Sequence, residues 1–250
     1  MDSLSKNKVK AANKKLYNAI ASKYDEIDGR RSLELRSWIK ETLAQLKAKG
    51  GGDKLLDLGT GSGLITSCAE NIFSTRIGVD ISSEILKLNR SKPCSSVVSD
   101  VDKLPFKSNS FDVITCFAVL HHLYNFEDLV KEISRVLKPG GVFYSDHDME
   151  ALFYKRFWPI LKLYRIFHDA SKRYQESSDK ISKEMYDLTE VHENGINSTE
   201  LTSLFNNNGF NIIIKYHWYG LSNITDKLFA KKCFLSGFAP LMTITAVKEH

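Results

Sequence analysis

Between residues 53 and 148, short apolar, β-branched runs alternate with helical patterns, and this alternation restricts the fold more than any other feature of the chain. Strands separated by helices cannot pair as hairpins; they lie parallel in one sheet, with right-handed crossovers and helices on both faces. "DKLLDLG" is a short apolar run ending in glycine, the form of a strand buried on both faces. A helix over Ser62 to Asn71 follows, with Leu64, Ile65, Cys68 and Ala69 at helical spacing. "TRIGVDIS" gives a second strand ending near Asp80, and Ser82 or Ser83 caps the helix "SEILKLNR". "CSSVVSD" reads as a third strand, and "FDVITCFAVL" as a fourth whose β-branched and aromatic residues disfavour a helix. "NFEDLVKEISRVLKPGG" places Phe126, Leu129, Val130, Ile133, Val136 and Leu137 on one helical stripe that stops at Pro139-Gly140-Gly141, before a fifth strand, "GVFYSDHD".

After Asp148 the alternation stops for about fifty residues, too long for a structureless connection, so a helical insertion is expected. Phe153, Phe157, Ile160, Tyr164 and Phe167 recur there at helical spacing among Lys155, Arg156, Lys162 and Arg165. The stripe reads first as the core of a lid; it also permits a lipophilic or anionic ligand, or contact with a membrane surface. The pattern resumes with Ser198 capping a helix that Gly209 ends, then a strand, and "PLMTITAVKE" closes the chain as the last strand. Upstream, "AANKKLYNAIASKYDEI" and "SLELRSWIKETLAQLKAKG" are amphipathic helices. Four segments result: N-terminal helices over 1–50, an α/β core over 51–148, an insertion over 149–197, and a helix with strands over 198–250.

Composition narrows the class. Cys68, Cys94, Cys116 and Cys233 are scattered without metal-ligand spacing, which argues against a zinc site or a disulfide framework and fits a reducing cytoplasm. No apolar h-region follows the basic N-terminus, and no segment approaches the roughly 18 apolar residues of a membrane span. Residues 51–150 carry 14 acidic and 10 basic groups, whereas residues 1–50 carry 12 basic and 6 acidic, and 151–250 carry 13 and 10. An acidic centre suits a cationic ligand, and basic flanks suit anionic partners or plain solvation.

"LLDLGTGSG" puts glycines at Gly59, Gly61 and Gly63. Gly59 and Gly61 let the chain turn sharply after a strand and approach a ligand closely. A dinucleotide fingerprint needs its third glycine where Leu64 stands, and a triphosphate loop needs Gly-Lys-Ser/Thr, so neither pyrophosphate nor triphosphate is expected. Asp80, at the end of the second strand, can accept both hydroxyls of a ribose. Asp100 followed by Val101, at the end of the third, can accept an exocyclic amine beside a purine face. Together they describe a nucleoside without phosphates.

With "GVDIS", "SDVDKLPFKSNSFDVITCFAVLHHL" and "LKPGGVF" in order, the chain resembles the class I S-adenosylmethionine-dependent methyltransferases, most closely the type 11 group that includes ubiquinone/menaquinone-biosynthesis enzymes. The resemblance implies an α/β, Rossmann-like, seven-stranded sheet of order 3-2-1-4-5-7-6, strand 7 antiparallel, with helices on both faces and a helical lid. It implies S-adenosyl-L-methionine as cofactor, S-adenosyl-L-homocysteine as product, and a small-molecule methyl acceptor. Gly59 and Gly61 would pass beneath the methionine part, and Asp57 would fix that loop and the ammonium group. Asp80 would hold the ribose with Ile81 against the adenine; Asp100 would accept from the adenine amine, and Val101 would lie beside the ring. Phe117 would offer its carbonyl to the ammonium, and Tyr17 and Tyr24 would close over the carboxylate end.

Methyl transfer from a sulfonium needs alignment above all, and a base only where the acceptor is protonated at neutral pH. His121 and His122 are the base candidates, with a structural role for the pair as the alternative. Asp146-His147-Asp148 could form a divalent-metal site, but adjacent strand residues point to opposite faces, so no metal is expected. The N-terminal helices and the insertion are expected to set specificity. Two other readings stand beside this one: a tRNA or other nucleic-acid methyltransferase, against which there is no RNA-binding appendage and no Asn-Pro-Pro-Tyr-type motif, and a non-catalytic cofactor-binding module. The expected assembly is a monomer or homodimer without nucleic acid or membrane span, surface contact being allowed.

Overall fold

The computed structural model describes residues 3–28, 32–89 and 94–250. Its helices are α1 (Ser3–Ile20), α2 (Tyr24–Asp28), α3 (Leu33–Gly50), α4 (Leu64–Cys68), α5 (Ser83–Leu86), α6 (Glu127–Val136), α7 (Ala151–Phe167), α8 (Ala170–Ser177), α9 (Lys183–Thr189), α10 (Ser198–Asn206) and α11 (Asn223–Phe229). The strands are β1 (Lys54–Leu58), β2 (Thr75–Asp80), β3 (Ser95–Val98), β4 (Phe111–Phe117), β5 (Leu137–Met149), β6 (Phe210–His217) and β7 (Leu241–Lys248). They form one sheet in the order β3-β2-β1-β4-β5-β7-β6, as the resemblance implied. β7 runs antiparallel to both β5 and β6, and all other pairings are parallel.

The two faces are covered differently. α6 and α10 bury Leu129, Val130, Ile133, Val136, Leu201 and Phe205 against Leu56, Leu58, Ile114 and Phe143. α3 and α4 bury Leu35, Ile39, Leu43, Leu64 and Ile65 against Leu55, Val113 and Val142. Each large side chain so buried contributes about 1.5–3 kcal/mol, enough to fix which face every helix occupies. A third apolar cluster joins Ala12, Leu16 and Ile20 of α1 to Ile181 and Met185 of the 149–197 stretch.

Several element boundaries differ from the sequence reading. The helix expected over Ser62 to Asn71 is only α4, because the Thr66 and Ser67 hydroxyls bond back to the Gly63 and Leu64 carbonyls (3.2 and 2.9 Å) and compete with the ladder. Ser82 is the cap of α5, its Oγ accepting from the Ile85 N–H at 3.2 Å. That helix closes after one turn, and Arg90, its expected end, lies outside the described residues. α6 stops at Val136 rather than at Pro139, since the residue before a proline avoids the helical region; Leu137 already pairs with Phe111 in β5. Asn197, not Ser198, caps α10, its side chain accepting from the Thr199 and Glu200 N–H groups. The α7 stripe is not a lid core: Phe153 is buried, but Ile160, Tyr164 and Phe167 are exposed.

Candidate functional site

A cleft of about 1170 Å³, counted out to its open mouth, lies over the carboxyl ends of β1, β2, β3 and β4. Its floor is the turn after β1, where Gly59 (φ 64°) and Gly61 (φ 55°) adopt left-handed conformations that residues with a Cβ rarely take. The turn is strapped to the next strand: Thr60 N–H donates to the Val79 carbonyl at 2.9 Å, and Gly61 N–H to Asp80 Oδ2 at 3.0 Å. Asp80 Oδ1 accepts from Ser82 N–H at 2.9 Å. Burial pushes the Asp80 carboxyl above its ordinary range, and the Ser82, Gly61 and Ile81 amides partly offset that.

Asp57, at the end of β1, is the deepest wall of the cleft and 1% exposed. Its Oδ1 accepts from the Thr115 hydroxyl at 2.7 Å. Its Oδ2 has no hydrogen bond of sound geometry among the described residues, although the nearby Thr60 hydroxyl eases its charge. Desolvation, with the Asp80 charge adding to it, raises the carboxyl to about 7. Asn13 Oδ1 is a second buried acceptor at this cleft without a partner among the described residues, while its Nδ2 donates to the Val9 and His122 carbonyls.

Of the residues singled out in the sequence, Tyr17, Tyr24, Asp57, Gly59, Asp80, Ile81, Asp100, Val101, Phe117 and His122 line the cleft together. Gly61 does not line it; an added Cβ there would stand 2.7 Å from the Tyr24 hydroxyl. His121 turns away, its Nδ1 2.6 Å from Asp148 Oδ1. Asp148 also accepts from the Leu120 and His121 amides, fixing the short helical turn Leu120–His122. His122 Nδ1 lies 2.8 Å from the Thr189 carbonyl, which only accepts, so the proton is on Nδ1 and Nε2 accepts from the Tyr17 hydroxyl at 2.6 Å. Glu190 Oε1 stands 3.7 Å from the same Nδ1.

Lys10, Asn13, Tyr174, Thr189 and Glu190 were not singled out in the sequence. Lys10 Nζ binds Asp100 Oδ2 (2.5 Å) and Asp102 Oδ2 (2.7 Å), and Lys6 binds Asp102 and Asp128, so α1 is clamped over the end of β3. Burial alone would lower the Lys10 amine, but its bonds to the two carboxylates outweigh it and raise it. Asp100 is thus shared with a lysine that no sequence spacing announced. A stripe of lysines on an amphipathic helix looks the same whether it faces water or an acidic wall.

The expectation that Asp146 and His147 point to opposite faces rests on strict strand alternation, and the strand breaks it. The β5–β7 register shifts between Ser145 and Asp148, and His147 takes φ 66°, bringing its ring back onto its neighbour. Asp146 Oδ1 accepts from His147 Nδ1 and His217 Nε2, both at 2.9 Å, while Oδ2 accepts from Thr243 Oγ at 2.9 Å and from the Tyr144 hydroxyl. Burial would raise Asp146, yet the adjoining His217 and His147 hold it well below the carboxylate range. This knot stands behind the cleft, the His147 ring 4.3 Å from that of Phe117. Asp146, His147 and His217 therefore converge, as do His121, His122 and Glu190, of which only His122 lines the cleft.

Residues 56–145 match the family profile of a methyltransferase domain. The chain is 29% identical over 167 residues to the ubiquinone/menaquinone biosynthesis C-methyltransferase UbiE of Burkholderia mallei, covering 61% of this chain and 64% of that protein. The match thus spans less than two thirds of that relative. Among solved structures, an S-adenosylmethionine-dependent methyltransferase from Clostridium acetobutylicum superposes with a TM-score of 0.59 at 17% identity, over 94% of this chain and 99% of the other. Magnesium protoporphyrin IX methyltransferase from Synechocystis PCC 6803, with bound S-adenosyl-L-homocysteine, gives a TM-score of 0.59 at 14% identity, over 96% and 100%.

Proposed function

On the premise that the chain carries the methyltransferase domain of the class I S-adenosylmethionine-dependent enzymes, we propose that it moves a methyl group from S-adenosyl-L-methionine to a small, lipophilic acceptor. One observation carries the reading: among the described residues, Asp57, Asp80, Asp100 and Asp102 line the cleft against a single amine, Lys10, and Asp57 Oδ2 is buried there without a sound hydrogen bond. Such walls repel phosphate and suit a ligand whose charges are a sulfonium and an ammonium. The orphaned Asp57 and Asn13 oxygens fit the ammonium end, Asp80 the ribose, and Val101 with Asp100 the adenine. The cofactor supplies a methyl group already activated on sulfur.

The remaining chemistry belongs to the chain. α1 and the 149–197 stretch are proposed to roof the cleft, which is supported by their shared apolar cluster and by Tyr174 in the wall. A closed roof excludes water and aligns the acceptor, and positioning of this kind lowers a barrier by about 7–11 kcal/mol. Where the acceptor is an O–H group, its proton is proposed to pass to the Tyr17 oxygen as the Tyr17 proton moves to His122 Nε2, with Glu190 steadying the imidazolium. His121 and Asp148 would act as positioning residues, holding the turn that carries His122.

The test is incubation of the chain with methyl-labelled S-adenosyl-L-methionine and a lipid-soluble or a water-soluble cell extract. Label in a small, organic-soluble product supports the reading. Label in RNA or another macromolecule, or cofactor binding with no labelled product from either extract, overturns it.

A further inference from the structure

α7 buries apolar side chains mainly where it begins; near its end Arg165 pairs with Glu193 at 2.8 Å, which leaves Lys155 and Lys162 as its open ammonium groups. Phe153 is buried against Phe157 and Trp218, with ring centroids 4.8 and 5.3 Å away. Beyond Pro159, Ile160 is 66% exposed, Tyr164 57%, Ile166 68% and Phe167 75%. Lys155, Arg156, Lys162 and Arg165 stand among these side chains, and the helix holds no acidic residue. The surface continues onto residues 221–238: the Arg156 guanidinium lies 4.0 Å over the Phe238 ring, and Leu152 closes on Gly237. Ile224, Leu228 and Leu235 are exposed there, beside exposed Lys227 and Lys232. No residue of α7 or of 221–238 lines the cleft.

Apolar surface on this scale is unfavourable in water and marks a binding face. The charge pattern selects the occupant. A second copy of the chain docked face to face would set α7 lysines and arginines against their own kind, with no acid on the helix to meet them. An anionic bilayer offers the opposite arrangement: lipid phosphates for the ammonium and guanidinium groups, and a headgroup boundary for Trp158, Tyr164 and Phe167.

We propose that α7 and residues 221–238 form a docking surface for an anionic phospholipid bilayer, with α7 lying in the plane of the interface. α7 starts at the carboxyl end of β5, the edge of the sheet over which the cleft opens, so docking brings the cleft to the lipid. This deepens the methyltransferase reading by naming where a lipophilic acceptor would enter, yet vesicle binding needs no methyl donor and is read separately.

The experiment is co-sedimentation of the full chain with vesicles of phosphatidylcholine alone or mixed with phosphatidylglycerol. Partition onto the anionic vesicles should exceed that onto neutral ones by about tenfold or more and fall as salt rises. The Lys155→Glu/Lys162→Glu pair should lose more than about tenfold of this binding. The Ile160→Ser/Phe167→Ser pair should lose a similar amount without changing the salt slope. Unchanged melting and S-adenosyl-L-homocysteine affinity establish that both variants are folded. Equal partition of native chain and variants, no binding to either vesicle, or a dimer in size-exclusion that Ile160→Ser/Phe167→Ser breaks would each overturn the proposal.

Discussion

The Tyr17 hydroxyl donates to His122 Nε2 across 2.6 Å, although 105 residues separate the two in the chain. Because the Thr189 carbonyl takes the His122 Nδ1 proton, Nε2 is left to accept from that phenol. If the pair relays a proton, Tyr17→Phe and His122→Ala should each lower kcat by about a hundredfold, and the double variant should be no worse than either single one. Single-turnover rates at saturating acceptor check this. Losses below about tenfold would make the pair structural.

Gly61→Val should abolish cofactor binding while leaving the sheet intact. Its Cβ would meet the Tyr24 hydroxyl at 2.7 Å and would have to be carried at φ 55°, so both the turn and the tyrosine must shift. Calorimetry with S-adenosyl-L-homocysteine should show at least about a hundredfold loss, with circular dichroism unchanged.

Asp57 makes cofactor affinity depend on pH. Its carboxyl is raised to about 7 in the free protein, and a cationic ligand binds the charged form, so affinity should fall by up to about tenfold per unit below pH 7 and level off above. Asp57→Asn should bind weakly at every pH, with a flat profile. Stability runs the other way. A carboxyl raised from 3.8 contributes stability fully below that value and loses it as pH climbs through about 7, so Asp57→Asn should raise Tm at pH 8 more than at pH 5.

Asp80→Ala removes the acceptor shared by the Gly61 and Ser82 amides as well as the proposed ribose partner. Cofactor affinity should drop by about 1.5–3 kcal/mol, the typical value for hydrogen bonds to a charged group. Calorimetric affinity equal to the native chain's would remove Asp80 from the site.

Asp146→Ala leaves two imidazoles and two hydroxyls of the buried knot without their common acceptor. The expected loss is about 3–5 kcal/mol of stability at pH 7. Because the native carboxyl is held below its unfolded value, its contribution is present above about pH 4 and is lost as pH falls toward the folded value, so the gap between native and variant in urea melts should narrow in acid.

Much of the site could be read from local pattern. A strand must end before a helix can begin, so Asp57, Asp80, Asp100 and the Gly59–Gly61 turn are placed at one edge of the sheet by the β/α alternation alone. The residues that complete the cleft have no such marker. Lys10, Asn13 and Tyr174 reach it because α1 and α8 fold back over the strand ends, and Thr189 and Glu190 reach His122 because α9 packs on α1. The contact of His147 with Asp146 escaped the sequence for a different reason, since period-2 alternation presumes a regular strand and His147 sits at a break in one.

Local pattern was enough for the β/α alternation, the glycine turn and the acidic strand ends, because period, turn chemistry and side-chain charge act over a few neighbouring residues, whereas the seven-strand order was legible only through the family resemblance. It took the folded chain to show that Asp100 is shared with Lys10, that His122 is hydrogen-bonded to Tyr17, and that the stripe beginning at Phe153 runs out into solvent from Ile160 onward. Those outcomes depend on which distant surfaces meet, and burial and ion pairing between segments a hundred residues apart leave no periodic trace in either segment.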